Sequence, residues 1–244
     1  MSFTEPFRKL ANLLFPYFVY PTVTQPFVWR HGLWMQLGLA RTARNGKLGH
    51  YYEFGVFRLN SIRKFNSVRK LAAWKCKEFN GIRIFAFDSF QGLPEATADD
   101  VKDKDWRAGA FLGTLDDVSR IAARNRIRNI RFIEGFYEKS LTPELAEELA
   151  TFPPSLVHVD CDLYSSTVVV LRWLDKLALP GALYFFDDIW KYQGHPQAGE
   201  LRAIAEYNAN TSNRGMLIED PLSLGSKMVY RFCPREPEEG LSAG

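Results

Sequence analysis

His158-Val159-Asp160-Cys161-Asp162-Leu163-Tyr164-Ser165-Ser166-Thr167 and, further along, Tyr184-Phe185-Phe186-Asp187-Asp188 each read as a short apolar run that ends in a pair of acids. Apolar runs of this length, closed by polar turn residues, mark buried strands of a parallel sheet whose carboxyl ends face a ligand crevice. Four carboxylates then gather at the ends of neighbouring strands. Two bare carboxylates about 4 Å apart repel by roughly 4 kcal/mol at the effective dielectric of a protein surface. Four clustered acids therefore require a cation, raised pKa values or basic partners. Oxygen ligands without a histidine–cysteine set favour Mg²⁺ over zinc.

Outward from these stretches, the chain from Gly49 alternates β-rich apolar runs with longer periodic segments. Strands are predicted at His50–Phe54, Ile82–Phe87, Ile130–Ile133, Leu156–Val159 and Ala182–Phe186. Helices are predicted at Ile62–Phe79, Asp116–Asn125, Pro143–Ala150, Ser165–Leu177 and Pro196–Asn208, with Leu179-Pro180-Gly181 as a stop before the fifth strand. Two more strands, near Met216–Ile218 and Lys227–Phe232, form an edge hairpin with a long connection. The expected fold is α/β: a doubly wound, mostly parallel seven-stranded sheet with helices on both faces, Rossmann-like, with an N-terminal aromatic-rich extension. The expected division is an arm over 1–48, one domain over 49–233 and a mobile tail over 234–244.

Composition narrows the function classes. The 244 residues are 46% hydrophobic and 24% charged, ordinary for a globular protein with a full core. The formal charge is +3, and the basic residues of Arg58–Lys77 and Arg120–Arg131 are spaced as helix faces without a basic-aromatic stripe, so no nucleic-acid partner is expected. The three cysteines, Cys76, Cys161 and Cys233, are far apart and odd in number, which fits a reducing cytoplasm and excludes a disulfide framework. Leu10 to Trp29 is strongly apolar, yet Pro16, Pro21 and Pro26 would break a spanning helix, so no membrane span is expected. Phe27-Val28-Trp29 and Trp34 suit either a homodimer contact or a substrate channel.

Three further strand ends carry acids. Glu53 precedes Gly55, a glycine that lets backbone approach a ligand at the turn. Asp88 lies some thirty residues on, where a carboxylate can accept both hydroxyls of a ribose. Glu134-Gly135-Phe136 offers a small residue and a ring to flank an adenine. Together they describe an adenosine-containing ligand across the sheet near its topological switch. If the strand continues, Asp160 and Asp162 share a face and Cys161 points away. Asp187 and Asp188 leave the adjacent strand at the same depth, completing a cation site with Asp160. His158, inside an apolar run, reads as a core histidine, whereas His195 sits in a loop from which it can reach a substrate hydroxyl.

EFGVF at Glu53, FAFDSFQGLPE at Phe85, HVDCDLYSST at His158 and FFDD at Phe185 together resemble the signature of the macrocin O-methyltransferase family. The resemblance spans about Tyr51 to Arg231. It implies a class I fold, S-adenosylmethionine and Mg²⁺ as cofactors, and methylation of a hydroxyl on a small-molecule acceptor, a sugar or glycosylated natural product. By the same resemblance Glu53, Gly55, Ser61 and Asp88 would hold the methionine and ribose portions of the cofactor, Asp160, Asp187 and Asp188 would be metal ligands, and Asp162 would sit at a general-base position. The chain departs from the family at Leu59-Asn60, where a glycine pair is common. The base stays open between Asp162 and His195. A catechol-like acceptor, a nicotinamide-dependent oxidoreductase and a noncatalytic protein on the same scaffold are the alternative readings.

Overall fold

Strand β1 (His50–Phe54) sits inside a seven-stranded sheet in the computed structural model, flanked on both edges by parallel partners. The structure describes residues 48–74, 76–100, 106–192, 194–223 and 228–235. The remaining strands are β2 (Ile84–Asp88), β3 (Ile130–Glu134), β4 (Pro154–Val159), β5 (Leu183–Phe186), β6 (Gly215–Glu219) and β7 (Val229–Pro234). Helices α1 (Asn60–Ala72), α2 (Leu115–Arg124), α3 (Tyr137–Ser140), α4 (Pro143–Leu149), α5 (Tyr164–Leu174) and α6 (Gly199–Ala209) fill the connections. The strand order is β3-β2-β1-β4-β5-β7-β6. β7 enters antiparallel between β5 and β6, as the expected hairpin. After β3 the chain returns to pair β4 with the free edge of β1, so the topological switch, where a ligand crevice opens, lies between β1 and β4.

Side-chain alternation sorts the core into two halves. Tyr51, Ile84, Leu156 and Phe185 pack against Ile62, Phe65 and Val68 of α1 and Val118 of α2. Phe54, Phe87, Val159 and Phe186 pack on the opposite face against Val170, Trp173 and Leu174 of α5 and Ile204 of α6. The sheet is therefore covered on both faces, which is what lets its central strands be apolar at nearly every position. Trp173 organises the second half. Its ring meets those of Phe87 and Phe54 edge-on at 5.5 and 6.3 Å, and its indole N–H donates to the Thr142 carbonyl at 2.9 Å.

The element boundaries differ from the sequence reading in instructive places. The first helix ends at Ala72 and not near Phe79, because Arg69 turns inward and donates to the carbonyls of Phe79 and Asn80, both at 3.2 Å. Lys77–Gly81 consequently folds back as a 3-10 turn. The short helix α3 is absent from the sequence reading, and β7 runs through Cys233 to Pro234, into the expected tail. The N-terminal arm, including Phe27, Val28, Trp29 and Trp34, lies outside the described residues apart from Leu48, as does the tail beyond Arg235. Among the described residues no helix is long and apolar enough to cross a membrane.

β1 and β4 end in close contact. Asp160 N–H donates to the Phe54 carbonyl and Gly55 N–H to the Phe87 carbonyl, each at 2.9 Å. Gly55 has φ +86°, and a β-carbon there would sit 1.7 Å from the Asp160 carbonyl oxygen. Glycine is thus demanded by the neighbouring strand end, in addition to any ligand. Gly55→Ala should lose about 3 kcal/mol or more of stability, from strain plus a backbone clash. In the core, Trp173→Ala should cost about 3–5 kcal/mol, and Trp173→Phe, which keeps a ring but drops the bond to Thr142, about 1–2 kcal/mol. Urea denaturation of the three variants checks both expectations.

Candidate functional site

A cavity of about 250 Å³ opens over the ends of β1, β2, β3 and β4. Gly55, Asp88, Gly135, Phe136, Asp160 and Asp162 of the sequence-predicted set line it, joined by Phe57, Ser89, Phe111, Tyr137, Glu138 and Cys161. The adenosine-binding pattern is therefore largely assembled in one place. Asp88 is more engaged than the sequence suggests. Its Oδ2 accepts from the Val56 and Phe57 N–H groups at 2.8 and 3.3 Å, and its Oδ1 from Phe90 N–H at 2.8 Å. A carboxylate oxygen has two lone pairs, so Oδ1 keeps one acceptor position open.

Three predicted cofactor residues lie outside that lining. Glu134 is exposed beside Asp88 in the β2–β3 register, and Ser61 is half-buried in the first turn of α1. Glu53 is only 1% exposed and faces the α1 side of the sheet. The Tyr51 hydroxyl donates to its Oε2 at 2.5 Å. Its register partner across β1 and β4 is His158, whose Nδ1 lies 3.4 Å from the same oxygen.

His158 is the residue the sequence undervalued. It is fully buried, and its Nε2 lies 3.7 Å from Asp187 Oδ1. Burial alone would depress its pKa, but the Asp187 and Glu53 carboxylates, with Asp160 beyond, push it up to about 10. Ligand atoms of His158, Asp160 and Asp187 all lie within 4.8 Å of one another. Asp188 falls outside that triplet. It is 6% exposed, its Oδ2 is buried without a hydrogen-bond partner, and burial followed by Asp162 and Asp187 raises its pKa to about 8.

The acids strain against one another as four clustered carboxylates should. Burial and then Asp187 hold Asp160 well above the usual carboxylate range, against the pull of His158. Burial also raises Asp162, to about 6, with the Lys191 ammonium and the neighbouring Trp106 indole restraining it. The shared-face expectation for Asp160 and Asp162 needs correction. β4 stops at Val159 and Asp162 has φ +60°, so a left-handed turn, and not strand alternation, brings both acids and Cys161 to the cavity.

Asp162 does not cap the following helix either. Asp100 does so from another loop, accepting from Ser165 N–H and Oγ at 2.9 and 2.8 Å and from Thr97 N–H at 2.8 Å. Trp106, on that same connection, packs beside Leu163, with Lys191 Nζ 5.6 Å from its ring centre. His195 is exposed and accepts from Gln197 N–H at 3.2 Å, so the structure does not bring it to the cavity wall.

Glu200 has no counterpart in the sequence reading. It is fully buried in the first turn of α6, accepts from Asp188 N–H at 2.9 Å, and has Oε1 buried without a partner. Burial, then Asp188, Asp187 and Asp160, hold its pKa well above the usual range. Only the acid in the first turn of a helix was legible, and such acids are ordinarily solvent-facing.

The donor set fits a hard divalent cation. Asp187 Oδ1 and Asp188 Oδ2 are buried without hydrogen-bond partners, and three of the four strand-end acids have raised pKa values, which a cation would reverse.

Comparison with known proteins agrees with this geometry. A 4'-O-methyltransferase of Streptomyces olivaceus, named for 8-demethyl-8-(2,3-dimethoxy-alpha-L-rhamnosyl)-tetracenomycin-C, is 28% identical over 151 residues, 59% of this chain and 54% of that protein. The chain thus spans about half the length of that curated relative. The calicheamicin methyltransferase CalS11 superposes with a TM-score of 0.61 at 20% identity, covering 96% of this chain and 93% of that one. The O-methyltransferase NovP gives 0.59 at 20% identity, covering 85% and 80%. At such identities the two likenesses show a shared methyltransferase fold. Residues 34–214, well over half of the chain, match the family described as Macrocin-O-methyltransferase (TylF), and the chain belongs to that family.

Proposed function

We propose that this protein transfers a methyl group from S-adenosylmethionine to a hydroxyl of a sugar or glycosylated small molecule, with Mg²⁺ bound by Asp160 and Asp187 and with Asp188 beside them. The observation that carries the reading is the meeting of two half-sites at one switch point. Gly55, Asp88, Gly135 and Phe136 line a cavity that ends at Asp160 and Asp162. An adenosine-bearing donor and an acid-bound acceptor would therefore meet where β1 and β4 part. Family membership points to the same methyl donor and removes the nicotinamide reading.

Bound to these acids, a divalent cation would act as a Lewis acid on the acceptor hydroxyl. The chain's own residues supply the rest. Asp88 Oδ1 offers one acceptor position to a ribose hydroxyl, and the Phe136 ring offers a face to the adenine. Asp162, at the cavity wall beside the Trp106 indole, takes the hydroxyl proton. It is a better candidate than His195, which is exposed and occupied by its own turn. Trp106 and Leu163 exclude water from this end of the site. His158 holds Asp187 from beneath and positions it without touching the acceptor. Because the methyl group arrives already activated, alignment and water exclusion are the protein's main contributions.

Calorimetric titration of S-adenosylhomocysteine into the protein, with Mg²⁺ and again with EDTA, tests the donor. Specific binding is expected in at least the Mg²⁺ arm, and absence of heat in both would return the noncatalytic reading. Asp160→Ala should abolish turnover with sugar acceptors while S-adenosylhomocysteine still binds. Turnover at the wild-type rate in that variant would remove the metal role.

A further inference from the structure

The acids that close β4 and β5 are not all held in the same way. Asp160 N–H donates to the Phe54 carbonyl at 2.9 Å and Asp187 N–H to the Val159 carbonyl at 3.1 Å, so both residues hang on a neighbouring strand. Asp188 lies one position past the last such bond and is still buried. A buried N–H left without an acceptor would cost about 1–3 kcal/mol. Its N–H donates instead to Glu200 Oε2 at 2.9 Å, an acceptor delivered by α6. The Asp188 carbonyl accepts from Lys191 N–H at 2.9 Å. Fixed at both its N–H and its carbonyl, Asp188 has one backbone orientation.

The start of α6 is built to make that delivery. An acid in the first turn of a helix ordinarily faces solvent, yet Glu200 is fully buried with its carboxyl among those of Asp188, Asp187 and Asp160. Gly199, immediately before it, has φ +52°, a left-handed conformation that glycine adopts without strain. Ala198 is extended at φ −139°, so the chain reverses at a single residue and sends Glu200 back toward β5. The helix behind it is anchored. Ala203, Ile204 and Tyr207 are buried in the core on this face of the sheet. Arg202 pairs with Asp99 at 3.1 Å and with Glu206 at 2.8 Å, and its guanidinium lies 4.2 Å from the centre of the Tyr164 ring. Tyr164 opens α5, two residues after Asp162. The start of α6 therefore grips Asp188 on one side and the turn that carries Asp162 on the other.

Glu200 lies outside the group formed by His158, Asp160 and Asp187, whose ligand atoms fall within 4.8 Å of one another, and so does Asp188. How closely Asp188 approaches a cation held by the others is thus set by its backbone. Its Oδ2 is buried without a hydrogen-bond partner, an oxygen kept available. We propose that Glu200 is a positioning residue of the cation site: by accepting from Asp188 N–H it aims the Asp188 carboxylate at the cation, through the place of its oxygen and not through its charge. The proposal rests on the metal role given to these acids under methyl transfer. Asp160, Asp187 and Asp188 already supply negative charge, and Mg²⁺ demands near-ideal octahedral geometry, so a ligand free to turn is the larger loss. Removing an outer partner of a metal ligand typically costs 10–100-fold in metal affinity.

Mn²⁺ is titrated into the full chain and into the variants Glu200→Gln, Glu200→Asp and Glu200→Ala, with free Mn²⁺ read from its electron paramagnetic resonance signal. It stands in for Mg²⁺ because both take octahedral oxygen ligands. Glutamine places an oxygen at the same reach without the charge, whereas aspartate keeps the charge on a side chain one methylene shorter. Affinity should stay within about threefold of wild type for Gln and fall at least tenfold for Asp and Ala, about 1.4 kcal/mol. Circular dichroism checks that each variant is folded, and should Ala not fold, Gln and Asp decide. A tenfold loss in Gln overturns the proposal by making charge the property that matters, and so does an Asp variant at the wild-type value. A merely structural Glu200 would lower the melting temperature of Asp and Ala while leaving Mn²⁺ affinity of the folded protein unchanged, which also overturns it. No Mn²⁺ binding to the wild type would remove the metal role itself, and Glu200's part with it, an outcome distinct from failure in the variants alone.

Discussion

A row of charge, buried Glu53 and His158 leading to half-buried Asp187, underlies the site. It is fixed by strand register. Glu53 and His158 are partners across β1 and β4, His158 and Phe185 are partners across β4 and β5, and Asp187 follows Phe185 by two positions. The imidazole therefore lies between two carboxylates, at 3.4 and 3.7 Å, with the Tyr51 hydroxyl satisfying Glu53 from the other side. A charge this deep is tolerable only when paired, and removing one partner of such a set would leave an uncompensated charge costing about 3–5 kcal/mol. The consequence reaches the surface of the site. One positive charge beneath the acids anchors Asp187, while Asp160 and Asp188 remain crowded enough to favour a cation.

The same row explains why Glu53 does not line the cavity even though it ends the first strand. Alternation sends it to the α1 face, where Lys64 also feels it, whereas Phe54 takes the α5 face and Gly55 makes the turn. In sequence, an acid at a strand end next to glycine reads as a ligand contact. Which face it takes depends on where the strand stops relative to the sheet, and that is a property of the pairing. Asp88, at the end of β2, does reach the cavity, yet much of its capacity goes to the backbone of the Val56–Phe57 turn.

Strand number, the edge hairpin and both acid pairs were legible because they rest on local patterns: apolar runs of strand length, and acids directly after them. β1 appears at its predicted bounds, and β2 to β5 within two residues at each end. What stayed hidden depends on contacts distant in sequence. Arg69 reads as one more basic residue on a helix, yet its side chain closes the turn at Asn80 and shortens that helix. Glu200 reads as a solvated acid, yet its oxygen is the acceptor for Asp188 N–H twelve residues away. His158 looks like a core histidine because it is one; its partners, supplied by β1 and the end of β5, make it part of the site.

The departure from the family pattern at Leu59 bears on whether the scaffold is still a working one. Leu59 has φ +58° and ψ +27°, a left-handed conformation that costs a non-glycine residue about 1–2 kcal/mol. It is also 0% exposed, packed within the cluster that holds α1 to the sheet, and burying a leucine side chain contributes about 1.5–3 kcal/mol. The two effects are of similar size and opposite sign. Its N–H donates to the Val56 carbonyl and its carbonyl accepts from Arg63 N–H, so the turn is closed at both ends. Leucine thus replaces backbone freedom with core packing, and the turn stays compatible with Val56 and Phe57 presenting their N–H groups to Asp88. A residue that would suggest decay in a sequence is, in three dimensions, part of a turn that is closed by its own hydrogen bonds and packed into the core.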